Sequence, residues 1–135
     1  MSREPEPGYA TPLTALDEIV RIEPAGITTR KRVLADEPYF AGHYPGFPIY
    51  PGVFMVEAVN QAARAYIARF HPGGRLVEAR TRFLSAVYPG DVLECDCACT
   101  LVDDGARLRV KATCRSGEAV ASTVKLIYAL GGADV

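Results

Sequence analysis

From Pro51 to Phe70 the chain carries one long helical stretch whose first two turns are apolar apart from Glu57. Met55, Ala58, Val59, Ala62, Tyr66 and Phe70 recur at helical spacing, and Glu57, Gln61 and Arg64 form a narrower polar stripe. Such a helix must be wrapped on most sides, so the rest of the chain has to supply the wrapping. Pro51 suits the first helical position, and His71-Pro72-Gly73-Gly74 stops the run.

The surroundings read as strand. Ala15 to Glu23 and Ile27 to Leu34 are β-prone, with Pro24-Ala25-Gly26 as the turn between them. Leu76 to Val87 alternates loosely, Pro89-Gly90-Asp91 turns, and Val92 to Val102 follows. Asp103-Asp104-Gly105 signals a hairpin into Ala106 to Arg115, and Ser116-Gly117 leads to Glu118 to Leu130. Arg107, Arg109, Lys111 and Arg115 alternate with Leu108, Val110, Ala112 and Cys114, which gives one wet face and one packed face. The expectation is an α+β fold, an antiparallel sheet curled around one long central helix. Residues 13–130 read as a single domain between tails at 1–12 and 131–135.

At 135 residues and 49% hydrophobic content the chain can bury a core of its own. A net charge of −1 gives no general electrostatic case for binding nucleic acid. The basic runs at Arg30-Lys31-Arg32 and at Arg75, Arg80 and Arg82 read as solvated faces. The start of the chain has no apolar leader, and Ala119 to Leu130 is too short and too interrupted to cross a membrane. A cytoplasmic protein without membrane contact is expected. Cys95, Cys97 and Cys99 share one strand face with Leu93 and Leu101, a poor tetrahedral clip for a metal. They read as small buried thiols in a reduced compartment, as does Cys114, with no metal and no cofactor implied.

Residues 35–52 are irregular, because Gly42, Gly46 and Gly52 interleave with Pro45, Pro48 and Pro51. This stiff loop holds His43, and Glu57 follows fourteen positions later, a proton acceptor and a proton donor suited to acid–base chemistry. A loop histidine can instead serve as a turn hydrogen-bonder, and a helical glutamate can simply face solvent. Val53, Phe54, Val56 and Ala58 argue against the second alternative, since an apolar setting favours the neutral, proton-giving form. Gln61 has a structural alternative, satisfying a neighbouring backbone group. His71 stands at the helix end, where its cation suits the dipole, and receives no catalytic role. Tyr44, Phe47 and Tyr50 read as interface packing rather than as the lining of a tunnel.

The run Gly42-His43-Tyr44-Pro45-Gly46, followed by Pro51-Gly52-Val53 and then Glu57-Ala58 and Gln61, resembles the FabZ-type 3-hydroxyacyl-acyl carrier protein dehydratases of the hotdog superfamily. Phe83 to Asp91 is similar to that family's strand-to-turn stretch ending in Pro-Gly-Asp. The resemblance spans Asp17 to Leu130, whereas Tyr9 to Ala15 departs from the family's usual opening, as in a specialised paralogue. It implies the hotdog fold and dehydration of 3-hydroxyacyl thioesters to trans-2-enoyl thioesters, in fatty-acid or polyketide-type biosynthesis. His43 would then be the base, Glu57 the acid, and the Gly52 N–H the donor to the thioester oxygen, with Gln61 beside the acid. Glutamate at position 57 favours the FabZ-like over the FabA-like subgroup. The implied partners are acyl carrier protein, which Arg80 and Arg82 are candidates to meet, and a second subunit that completes each site. That subunit implies a homodimer, a trimer of dimers, or a heterodimer with another hotdog chain. The alternatives are a hotdog acyl-thioesterase, which would not need His43, and a subunit active only with a partner.

Overall fold

The computed structural model describes residues 16–34 and 50–131. In chain order these form β1 (Glu18–Glu23), β2 (Gly26–Arg32), α1 (Gly52–Phe70), β3 (Gly74–Phe83), β4 (Val92–Val102), β5 (Arg107–Ser116) and β6 (Ala119–Leu130). The six strands make one antiparallel sheet in the order β1-β2-β4-β5-β6-β3, so the helix sits in the connection that sends β3 to the far edge. A sheet curled around one central helix is what the patterning predicts.

Helix α1 lies on the inner face and buries Met55, Ala58, Val59, Ala62, Ala63, Tyr66 and Ile67. Its alanines let the helix approach the sheet closely, and the inner residues of β4 and β5 close the core beneath it. Near its C-terminus the Tyr66 hydroxyl donates to the Pro24 carbonyl at 2.6 Å, tying the helix to the β1–β2 turn. Gly26, at the end of that turn, lets β2 lie close against β4, because a side chain there would run into the Cys97 carbonyl.

Several boundaries and placements differ from expectation. Pro51 is the N-cap in extended backbone and not the first helical residue. β3 begins at Gly74 and ends at Phe83, short of Val87, because the N–H groups of Leu84 and Ser85 both turn to the Ala121 carbonyl, at 2.8 and 3.2 Å. Lys31 is not part of a solvated face: strand alternation points it inward, 5% exposed, with Asp17 Oδ1 at 3.8 Å. Leu101 shares the parity of the buried cysteines yet is 52% exposed, since β4 has there run beyond the core under α1. Tyr50 packs in the core of this one chain, 1% exposed and edge-on to Phe54 with ring centroids 5.7 Å apart, so its expected place at an interface is corrected.

Candidate active site

The connection between β3 and β4 holds the start of the helix in place. The Tyr50 N–H donates to the Val87 carbonyl at 2.7 Å, which fixes the residue just before the N-cap. Val33, where the chain leaves β2, donates its N–H to the Asp91 carbonyl at 3.0 Å and accepts from the Gly90 N–H at 2.8 Å. Both ends of the segment that carries His43 are thus tied to one turn. That turn is braced by Asp91, whose carboxylate accepts the Tyr88 N–H at 2.9 Å. His43 itself, with Tyr44 and Phe47, lies outside the described residues.

Gly52 opens α1. No side chain caps this end and no acidic residue occupies the first turn, so the partial positive charge of the helix start is left uncompensated by neighbouring side chains among the described residues. A Cβ built on Gly52 would lie 2.8 Å from Cε1 of Phe83, so glycine here admits the ring that ends β3. Around this end Val53 is 65% exposed and Phe83 54%, with Leu84 and Tyr88 also open to solvent. They form an apolar rim at the mouth of the helix.

Glu57 stands in the second turn, half-buried. Gln61, one turn further along, donates Nε2 to Glu57 Oε2 at 2.9 Å, and Asn60 Nδ2 lies 3.3 Å from Oε1. The carboxyl therefore meets two amide donors, Gln61 as expected and Asn60 in addition. Asn60 in turn accepts the Tyr128 hydroxyl from β6 at 2.6 Å. Arg64 places its guanidinium 5.7 Å from the centre of the Tyr128 ring and donates to the Gly74 carbonyl at 3.0 Å. Burial holds the Tyr128 phenol well above its ordinary range, opposed by Arg64 and reinforced by Glu57. Glu57, Gln61 and Gly52 are thus brought to the first three turns of one helix. Asn60 and Tyr128 join them without having been singled out by the sequence. The spacing of position 60, three residues after Glu57, is too ordinary on a helix to mark the first, and nothing local marks the second.

The four cysteines are buried and free. Cys95 and Cys114 face each other across β4 and β5 with sulfurs 3.3 Å apart, a thiol–thiol hydrogen bond. That contact and burial hold the Cys95 thiol well above its usual range. Burial likewise raises Cys97 and pushes Cys99 up to about 12. Protonated thiols of this kind are poor nucleophiles and pack as small apolar groups. His71 caps the C-terminal end of α1, its N–H donating to the Ile67 carbonyl at 2.8 Å.

Residues 20–124 match the family model ApeI-like, described as ApeI dehydratase. A 3-hydroxyacyl-[acyl-carrier-protein] dehydratase FabZ of Desulforamulus reducens is 32% identical over 126 residues, covering 89% of this chain and 88% of that protein. The FabZ of Ruminiclostridium cellulolyticum is 40% identical over 89 residues, covering 61% of this chain, and the chain spans 62% of that relative's length. Among solved structures, the dehydratase heterocomplex ApeI:P of Xenorhabdus doucetiae superposes with a TM-score of 0.72 at 18% identity, over 93% of this chain and 88% of that one. That likeness is one of fold, and the fold is the hotdog. The expected kinship with FabZ-type enzymes is borne out in these relatives, and the family match covers both β2 and the whole of the helix that carries Glu57: the chain belongs to the ApeI-like dehydratase family.

Proposed function

We propose that this protein dehydrates 3-hydroxyacyl thioesters carried on acyl carrier protein, giving trans-2-enoyl thioesters. The observation that carries the reading is the Glu57 carboxyl, held by Gln61 and Asn60 one turn inside an uncapped helix start, in a chain of a dehydratase family. His43 takes the α-proton as the Cα–H bond breaks. Glu57 gives its proton to the 3-hydroxyl as the Cβ–O bond breaks, so that a C=C bond forms and water leaves. The Gly52 N–H, at the positive end of α1, stabilises the charge that builds on the thioester oxygen. Gln61 orients the acid. No step needs a metal or redox cofactor.

In this reading His43 of one subunit works with Glu57 of another. Edge strand β3 supports it: nearly all its side chains are exposed on both faces, and it ends at the apolar rim of Val53, Phe83 and Leu84. An open edge of that kind is a template for a second chain, whether a copy of this one or another hotdog subunit. The acidic surface of a carrier protein would find Arg80 and Arg82 on the same strand.

Wild type, His43→Ala and Glu57→Gln are to be assayed with 3-hydroxyacyl carrier-protein substrates of several chain lengths. Each variant is expected to lose dehydration by about 100-fold or more while melting like wild type. Retained dehydration in His43→Ala removes the proposed base. Release of free thiol without an enoyl product turns the assignment into a thioesterase.

A further inference from the structure

A polar seam runs between α1 and β6 through Arg64, Tyr128, Asn60 and Glu57, and chemistry fixes the direction of each of its bonds. Tyr128 is fully buried on the inner face, near the end of β6. Its hydroxyl lies 2.6 Å from Asn60 Oδ1, the length of an O–H···O bond and short for N–H···O, so the phenol donates and the amide oxygen accepts. That leaves the Asn60 amide a single orientation, with its oxygen toward Tyr128 and its nitrogen toward Glu57 Oε1, 3.3 Å away. Gln61 meets the other carboxyl oxygen. Each oxygen of Glu57 thus faces a group that gives a hydrogen bond and accepts none.

A proton on that carboxyl has no acceptor in either amide, so it must sit on the side turned away from both. From these directions we infer that Tyr128 and Asn60 are positioning residues: they aim the Glu57 carboxyl so that its proton is presented outward, to the substrate. The inference rests on Glu57 being the acid of the proposed reaction. The seam also costs packing. Asn60 and a tyrosine hydroxyl occupy ground where apolar side chains would pack the helix onto the sheet without the penalty of burying polar atoms. Arg64 completes the arrangement from the other end, over the Tyr128 ring and anchored on Gly74. With the ring held there, the hydroxyl has little freedom to leave Asn60.

Tyr128→Phe keeps the ring, its packing and its contact with Arg64, and removes one oxygen. The variant is expected to lower kcat about tenfold with KM within about twofold, at a nearly unchanged melting temperature. The infrared carboxyl band of Glu57, isolated as the difference from Glu57→Gln, is expected to shift in Tyr128→Phe and in Asn60→Ala alike. The double variant should lose no more activity than Asn60→Ala alone, because the two side chains act in series. A band that stays in place in Tyr128→Phe, or losses that multiply in the double variant, overturns the relay. The infrared measurement needs no substrate. A shifted band in a protein that dehydrates nothing would uphold the relay and sink the reading of Glu57 as a dehydratase acid.

Discussion

Gly52 is the place where one missing methyl group serves two purposes. It leaves room for the Phe83 ring, and in the proposed reaction it lets the thioester oxygen come close to the Gly52 N–H. Alanine is the better helix former by about 1 kcal/mol, and the ring it would strike is half-exposed and free to swing. Gly52→Ala is therefore expected to melt within about 1 kcal/mol of wild type, with dehydration reduced by about tenfold or more as the methyl and displaced ring crowd the oxyanion position. Melting curves read beside steady-state kinetics separate the two effects, and full activity would free Gly52 of its proposed role. Much of this end of the site is legible in the sequence. Glycine before a helix, an isolated carboxylate among apolar residues and a glutamine one turn later all announce themselves by spacing. Asn60 does not, since a polar residue three places after a glutamate is ordinary on a helix. Tyr128 is still less visible: it reaches Asn60 from 68 residues away, through a register of β6 against α1 that no local pattern encodes.

Strands are legible in proportion to how firmly both their faces are set. β4 is readable from Val92 to Val102 because a buried row alternates with an exposed one between two turn signals. β3, at the sheet edge, is exposed on nearly every residue, so its sequence carries no alternation to mark where pairing stops. The same exposure shapes the outer face. Lys111 on β5 lies directly opposite Lys125 on β6, which lies opposite Arg80 on β3, three like charges in one row across three strands. Glu78 relieves part of the repulsion, 3.2 Å from Arg80 and 3.7 Å from Lys125, while Lys111 has no carboxylate partner among the described residues. Like charges directly opposed destabilise a sheet, so Lys111→Glu is expected to stabilise the fold by about 0.5 to 1 kcal/mol at low salt. The gain should fade as salt screens the pair, and urea midpoints at two ionic strengths measure both. No gain at low salt would mean that the solvated side chains already avoid one another.

At the scale of the whole molecule, the helix and the sheet share one core, and four thiols are part of its floor. The fold therefore favours the neutral form of Cys95, Cys97 and Cys99, whereas the unfolded chain gives them to water. Burial pushes the Cys99 thiol from an ordinary 9.0 up to about 12 and Cys97 in the same direction, so both stay protonated in the fold where the unfolded chain has lost their protons. In that window the unfolded state binds fewer protons, and stability must fall as pH rises. The contribution is whole below the ordinary thiol pKa and is lost progressively up to the folded one. Tyr66 and Tyr128, raised by the same burial, extend the loss at still higher pH. Replacing Cys97 and Cys99 by alanine leaves small voids and lowers the stability at every pH, but it removes the two thiol titrations. Urea unfolding between about pH 8 and about pH 10.5 should therefore give a shallower decline for the double variant than for wild type. Parallel declines would show that the sheet beneath α1 opens enough to let water ionise these thiols without unfolding, and that the core around that helix is looser than its packing implies.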